Sequence, residues 1–144
     1  MYKMANLEEQ LKNPVWYSLI ETHKKFAVEF DGVLFYEQEV CTFGAFFNEE
    51  KTTKASNDYL ETTDSFFFVS ENKTPLVDDA NVFLEKKIDG CQMVLNELPD
   101  VAITEEIVLL GDEYIDEIYK LVWLVMPGYY RRMTFEMGNY YGIF

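Results

Sequence analysis

Apolar and polar positions along the chain follow two periods, near four residues in two stretches and near two in several others. Asn13-Pro14 opens the first helical stretch, since Asn is a good N-cap and Pro is favoured at the first helical position. Val15, Leu19, His23, Phe26 and Phe30 then share one face at spacings of four, four, three and four, and Asp31-Gly32 ends the run with a turn. Strand-like segments follow at 33–40, 41–47 and 65–71, with a polar loop between the last two that carries a short helix near 56–62. Residues 81–90 read equally as a short helix or an irregular strand. Residues 91–98 read as a strand, closed by Pro99-Asp100. The pattern sharpens after Pro99. VAITEEIVLL (101–110) is β-branched and apolar, hence a strand. Gly111-Asp112 starts a helix over 112–126, with acids at 112, 113 and 116 near its favourable end. Ile115, Ile118, Tyr119, Val122, Val125 and Met126 form its expected buried stripe, and Pro127-Gly128 stops it. Residues 129–138 are a short helix or turn, and NYYGIF is a final strand.

These elements predict an α+β protein with a mixed, largely antiparallel sheet and flanking helices. Two parts are expected: an N-terminal α+β region over 1–100, and a strand-helix-helix-strand unit over 101–144. The aromatic runs at Phe43, Phe46, Phe47 and Phe66–Phe68 place aromatics on successive positions, as in a sheet covered on both faces.

Composition sharpens this picture and removes several function classes. The 144 residues include 12 Phe, 10 Tyr and 2 Trp, ample for a packed core. The 26 acids against 12 bases give a net charge of −14, which repels nucleic-acid backbones and anionic lipid surfaces. The longest apolar stretch, 121–126, is far short of the roughly 20 residues of a membrane span. The N-terminus has no continuous apolar core of signal-peptide length. A cytoplasmic protein is expected. Cys41 and Cys91 form no CxxC pair, and with a single His a zinc site is not expected. Two free thiols fit a reducing compartment.

From 101 onward, the text LVWLVMPGYYRRMTFEMGNYYGIF in a strand, helix, short helix, strand order resembles the opening of a GNAT-superfamily acyl-CoA N-acyltransferase domain. The upstream NPVWYSLIETHKKFAVEF resembles an N-terminal extension found in one subgroup of such proteins. PGYY followed by a basic pair, and GNYYGIF, are its most specific phrases. The resemblance implies transfer of an acyl group from acetyl-CoA to an amine. The family's cofactor motif is Gln/Arg-x-x-Gly-x-Gly/Ala, whose backbone N–H groups hold the pyrophosphate. The seven glycines here lie at 32, 44, 90, 111, 128, 138 and 142, so no Gly-x-Gly occurs. The expectation is therefore a chain cut before that loop, inactive alone and holding no cofactor itself, with acetyl-CoA belonging to the complete protein. Strand 140–144 would then pair with a completing chain or with a second copy.

Individual residues allow few roles. His23 is the only histidine, yet it lies on the apolar stripe without an acidic or nucleophilic partner, so a packed, hydrogen-bonded histidine is expected. In the resembling fold the stretch between the first helix and second strand borders the acceptor groove. This makes Tyr129, Tyr130, Arg131, Arg132 and Tyr140 the candidate substrate-binding residues. A guanidinium there can receive a carboxylate bidentately; the plainer alternative is that the arginines neutralise nearby acids. Glu136 is one of many acids able to act as general base, and the sequence assigns no catalytic residue. Cys41 and Cys91 have no adjacent base to activate a thiolate.

Overall fold

The computed structural model describes residues 4–71, 73–77, 79–97 and 100–144, with side chains from Glu8 onward. Helix α1 (Met4–Lys12) precedes α2 (Pro14–Ile20). Asn13 joins them and caps α2 as its sequence predicts. Its Oδ1 accepts from the Trp16 N–H at 3.4 Å, and its Nδ2 donates to the Phe46 carbonyl at 3.0 Å. One buried side chain thus starts a helix and ties it to the sheet.

The first helix does not continue to Phe30. Lys24–Phe26 form one 3-10 turn, and Ala27–Phe30 form strand β1, paired antiparallel with β2 (Val33–Tyr36). Asp31 and Gly32 take φ values of 51° and 81°, the left-handed conformation of a two-residue hairpin, with Phe30 opposite Val33. An Asp-Gly pair between two runs rich in Val and Phe overrides the helical spacing. Once the hairpin forms, each residue of β2 gains a cross-strand partner and a buried side chain.

Strand β3 (Phe43–Ala45) pairs antiparallel with β2, and β4 (Phe67–Phe68) pairs parallel with β3, giving a four-stranded mixed sheet in the order β1-β2-β3-β4. A parallel pair needs a crossover connection, here supplied by helix α3 (Thr52–Leu60). The strands are shorter than the segments read from sequence. Only 33–36 of 33–40, 43–45 of 41–47 and 67–68 of 65–71 are paired.

The sheet is covered on both faces. Leu34 and Tyr36 join Leu19, Phe26, Val40 and Cys41 beneath α2. Val33 and Phe35 join Phe46, Ala55 and Tyr59 beneath α3. Phe35 stacks on Tyr59 at 4.2 Å between ring centres, and Phe66 and Phe68 meet its ring at 5.3 and 5.5 Å. The Tyr59 hydroxyl donates to the Tyr36 carbonyl at 2.9 Å. At Gly44 a Cβ would lie 2.5 Å from Phe35 Cδ1, so glycine there lets β3 close over the ring.

Beyond the sheet the chain runs with little regular structure. Residues 83–97 and 100–107 are exposed and form neither helix nor strand, which corrects the strand expected over 91–98 and shortens that expected over 101–110. Leu98 and Pro99, where the two expected parts would meet, lie outside the described residues. Strand β5 (Val108–Leu110) follows, then a 3-10 turn (Asp112–Tyr114), helix α4 (Ile115–Val125), a second 3-10 turn (Thr134–Met137) and strand β6 (Tyr140–Gly142). β6 pairs antiparallel with β5, with Leu110 opposite Tyr140 and Val108 opposite Gly142. The expected stripe of α4 is only half-buried at Ile115, Ile118, Tyr119 and Val122, and Val125 and Met126 are exposed. Leu121 and Leu124 are also exposed. No helix among the described residues is long and apolar enough to cross a membrane.

Candidate functional site

The residues singled out around 129–140 meet the first sheet at a seam between the 37–41 loop and the 3-10 turn Thr134–Met137. Three hydrogen bonds, two of them made by one side chain, fix that turn in place. Met133 N–H donates to the Glu39 carbonyl at 3.1 Å. The Thr134 hydroxyl donates to the Val40 carbonyl at 2.5 Å and accepts from the Arg131 N–H at 2.7 Å. Thr134 is buried, and its single hydroxyl thereby satisfies a local donor and an acceptor 94 residues away in the chain. Met133 and Met137 pack onto the cluster under α2.

His23 closes the other end of the seam. Nε2 lies 3.0 Å from the Met137 carbonyl and Nδ1 lies 2.8 Å from the Tyr36 hydroxyl. A carbonyl only accepts, so Nε2 donates to Met137, and the second hydrogen bond joins Nδ1 to the Tyr36 hydroxyl. Both nitrogens are occupied, leaving none to exchange a proton with a substrate. His23 is a structural bridge, packed and hydrogen-bonded as its sequence context predicts, although it sits at a turn and not on a helix stripe.

Burial sets the ionisation of this region. It pushes the Tyr36 phenol up to about 12, with the neighbouring Cys41 adding to the effect. It does the same to Tyr59, again to about 12, while the Arg131 guanidinium pulls slightly the other way. Burial raises the Cys41 thiol to about 11, opposed by hydrogen bonds from the Phe43 and Thr42 backbone and by Arg131. Cys41 is thus a neutral, buried thiol and not a nucleophile. Cys91 is free and exposed.

These shifts have a sign that can be measured. Folded Tyr36 and Tyr59 hold protons that the unfolded chain gives up near the ordinary phenol value of 10.0. Their contribution to stability is complete below about pH 10 and is lost as pH rises through about 12. Equilibrium denaturation across that window should show stability falling, with Tyr36 and Tyr59 ionising above the ordinary phenol value together with Tyr130 and Tyr140, which burial also raises. Ionisation of all ten tyrosines at the ordinary value, with the fold intact, would contradict the burial seen here.

The five candidate residues separate in space. Tyr129 turns to the sheet, stacking on Phe67 at 4.5 Å and meeting Phe43 edge-on at 6.2 Å. Arg132 is exposed. Tyr130 is 5% exposed and meets Tyr140 edge-on at 6.0 Å. Tyr140 in turn stacks on Phe135 at 5.1 Å and donates to the Thr134 carbonyl at 3.0 Å. Arg131, next in the chain to Tyr130, is half-buried. The structure therefore brings Tyr130 and Tyr140 together, with the Arg131 backbone held at the same turn by Thr134, and leaves Tyr129 and Arg132 apart. Tyr141 alternates outward and is 61% exposed, as strand geometry requires of a neighbour of Tyr140. Glu136 is exposed.

Thr134, Cys41 and the Glu39 and Val40 carbonyls complete the site, and none was a sequence candidate. No local signal marks them, because their partners are supplied by distant backbone. A second feature lies nearby. Leu110, Tyr114, Ile118, Leu121, Tyr140 and Ile143 line an open, mostly apolar cleft of about 400 Å³ between α4 and the β5-β6 pair. No group of three or more His, Cys, Asp or Glu among the described residues is placed to hold a metal ion. No protein-family model, curated protein or solved structure matches the chain.

Proposed function

We propose that this chain is the N-terminal part of a GNAT-like N-acyltransferase and supplies the acceptor side of acyl transfer from acetyl-CoA to an amine. The observation that supports the reading is the antiparallel pairing of β5 with β6 across an intervening helix and turn, the order expected for the opening of that fold. Tyr130, Arg131 and Tyr140 gather at the turn that would border the acceptor groove. With no Gly-x-Gly in the sequence, no backbone cradle for the pyrophosphate of acetyl-CoA is expected within these residues. The chain alone is then inactive. His23 takes no part in proton transfer, and no residue here is assigned as catalytic.

Calorimetry with acetyl-CoA tests this. The chain alone should give no heat of binding. Extended by a strand and a helix joined through a Gln/Arg-x-x-Gly-x-Gly/Ala turn, it should bind acetyl-CoA and acylate amines. Tight binding by the chain alone, or none by the extended chain, would sink the reading.

A second reading rests on β6. Its inner edge pairs with β5, and among the described residues no strand pairs with its outer edge. Ile143 and Phe144 beyond it are 62% and 81% exposed. Such an edge templates pairing, so a non-catalytic module that binds through it, to a second copy or to another chain, fits the same observation. Light scattering separates the two. A dimer that Tyr141→Lys dissociates favours pairing through β6, and a monomer at high concentration excludes the symmetric form.

A further inference from the structure

The cleft between α4 and the β5-β6 pair has a lining that selects a class of ligand. Its volume of about 400 Å³ lies in the range of small-molecule pockets, and like them it is mostly apolar with few polar groups. Leu110 from β5, with Ile118 and Leu121 from α4, gives it aliphatic walls. Leu121 is 64% exposed and Phe144, past the end of β6, is 81% exposed, so this apolar surface is open to a ligand from solvent.

The rest of the lining is aromatic and acidic. Tyr114, Tyr140, Tyr141 and Phe144 border the cleft, and the rings of Tyr114 and Phe144 lie 5.6 Å apart between centres. The Tyr140 hydroxyl already donates to the Thr134 carbonyl, so that residue offers the cleft its ring. Aromatic faces are negative and attract cations. Among the described residues Glu117 is the one charged member of the lining. It is exposed, and neither Lys120, one turn further along α4, nor any other base among the described residues forms an ion pair with it. Asp112, Glu113 and Asp116 shortly precede it, and the whole chain carries a net charge of −14. The field at the cleft therefore favours a positive ligand and disfavours a carboxylate or a phosphate.

We propose that this cleft binds a small organic cation, an ammonium head carried on an apolar chain. The head lies among the rings beside Glu117, and the chain lies along Leu110, Ile118 and Leu121. A methylated ammonium suits the site better than a bare one, because the lining offers a single carboxylate to receive N–H donors and several rings that require none. The proposal does not rest on the acyltransfer reading, since a quaternary nitrogen has no N–H to acylate.

Calorimetry with hexyltrimethylammonium chloride tests it, at ionic strength held constant with sodium chloride. Hexan-1-ol and sodium hexanoate are the neutral and anionic controls of equal chain length. The cation should bind saturably and most tightly, the alcohol more weakly and the carboxylate least. In a parallel titration the backbone amide resonances of Tyr114, Ile118 and Gly142 should shift, while those of the first sheet stay. Glu117→Gln, at an exposed position, should weaken binding of the cation by about twofold to fivefold, as for a solvent-exposed charge pair, and leave the alcohol unchanged. Tyr114→Leu keeps an apolar side chain and should weaken the cation by a similar factor while sparing the alcohol. A cation that binds no more tightly than hexan-1-ol, or whose shifts centre outside the cleft, overturns the proposal. So does an affinity for the cation that either substitution leaves unchanged, since attraction by the net charge alone would survive both.

Discussion

Phe35→Ala is expected to cost about 3–5 kcal/mol of folding stability, the range for removing a fully buried aromatic. Phe35 is 0% exposed at the centre of the four-stranded sheet, and four aromatic rings surround it. Tyr59 stacks on it at an interplanar angle of 14°, and Phe30, Phe66 and Phe68 meet it at edges or tilts. These rings come from β1, α3 and the β4 region, so their positions are set by one another and they cannot collapse into the cavity independently. Domains of this size are stable by about 5–15 kcal/mol, so the loss is a third of the total or more. Urea denaturation followed by circular dichroism measures it. The midpoint should fall sharply while the slope stays constant, since the surface exposed on unfolding is nearly the same. A loss below about 1 kcal/mol would mean the ring is not packed as described. The ion pairs cannot compensate. The three among the described residues, Lys12–Glu9, Lys51–Asp31 and Lys73–Glu49, are solvent-exposed, where screening leaves an ion pair little net stability.

Thr134→Val should be the next most damaging change, although it preserves the side chain's shape. The hydroxyl bridges the Val40 carbonyl and the Arg131 N–H, and valine can replace neither bond. Each buried group left without a partner costs about 1–3 kcal/mol. Thr134→Ser keeps the hydroxyl and removes one methyl, so it should cost only about 0.8 kcal/mol. The comparison separates the hydrogen bonds from the packing. Equal losses in the two variants would show that the seam depends on shape and not on this hydroxyl. The same experiment tests whether the turn and the first sheet form one cooperative unit, since both variants should shift a single unfolding transition.

Local chemistry made part of this fold legible. Asn13-Pro14 starts α2 where a cap and a first-turn proline should, because both act on the backbone within one turn. The helix around 112–126 begins at acids and ends before Pro127-Gly128, as its dipole and the missing proline N–H require. Covered faces were readable from consecutive aromatics, and both clusters are present. The stretch from His23 to Phe30 misled because its apolar spacing fits a helix and a strand nearly as well. Asp31-Gly32 decides it, since a turn that accepts left-handed φ at both positions returns the chain antiparallel within two residues. Residues 91–97 have the composition of a strand but no partner among the described residues, and composition supplies no ladder of hydrogen bonds.

The candidate site was legible only as a list of residue types. Tyr130, Arg131 and Tyr140 could be named from the sequence, yet nothing in it separates Arg131 from Arg132 or Tyr130 from Tyr129. Tertiary structure makes that separation, by burying one of each pair in the seam and turning the other to solvent or to the sheet. It also supplies the partners. His23 meets Met137 across 114 residues and Thr134 meets Val40 across 94. Periodicity, capping and turn chemistry act over a few residues and fix which elements form. Long-range packing decides which polar groups find acceptors, and among the described residues it leaves the Arg131 Nε without one.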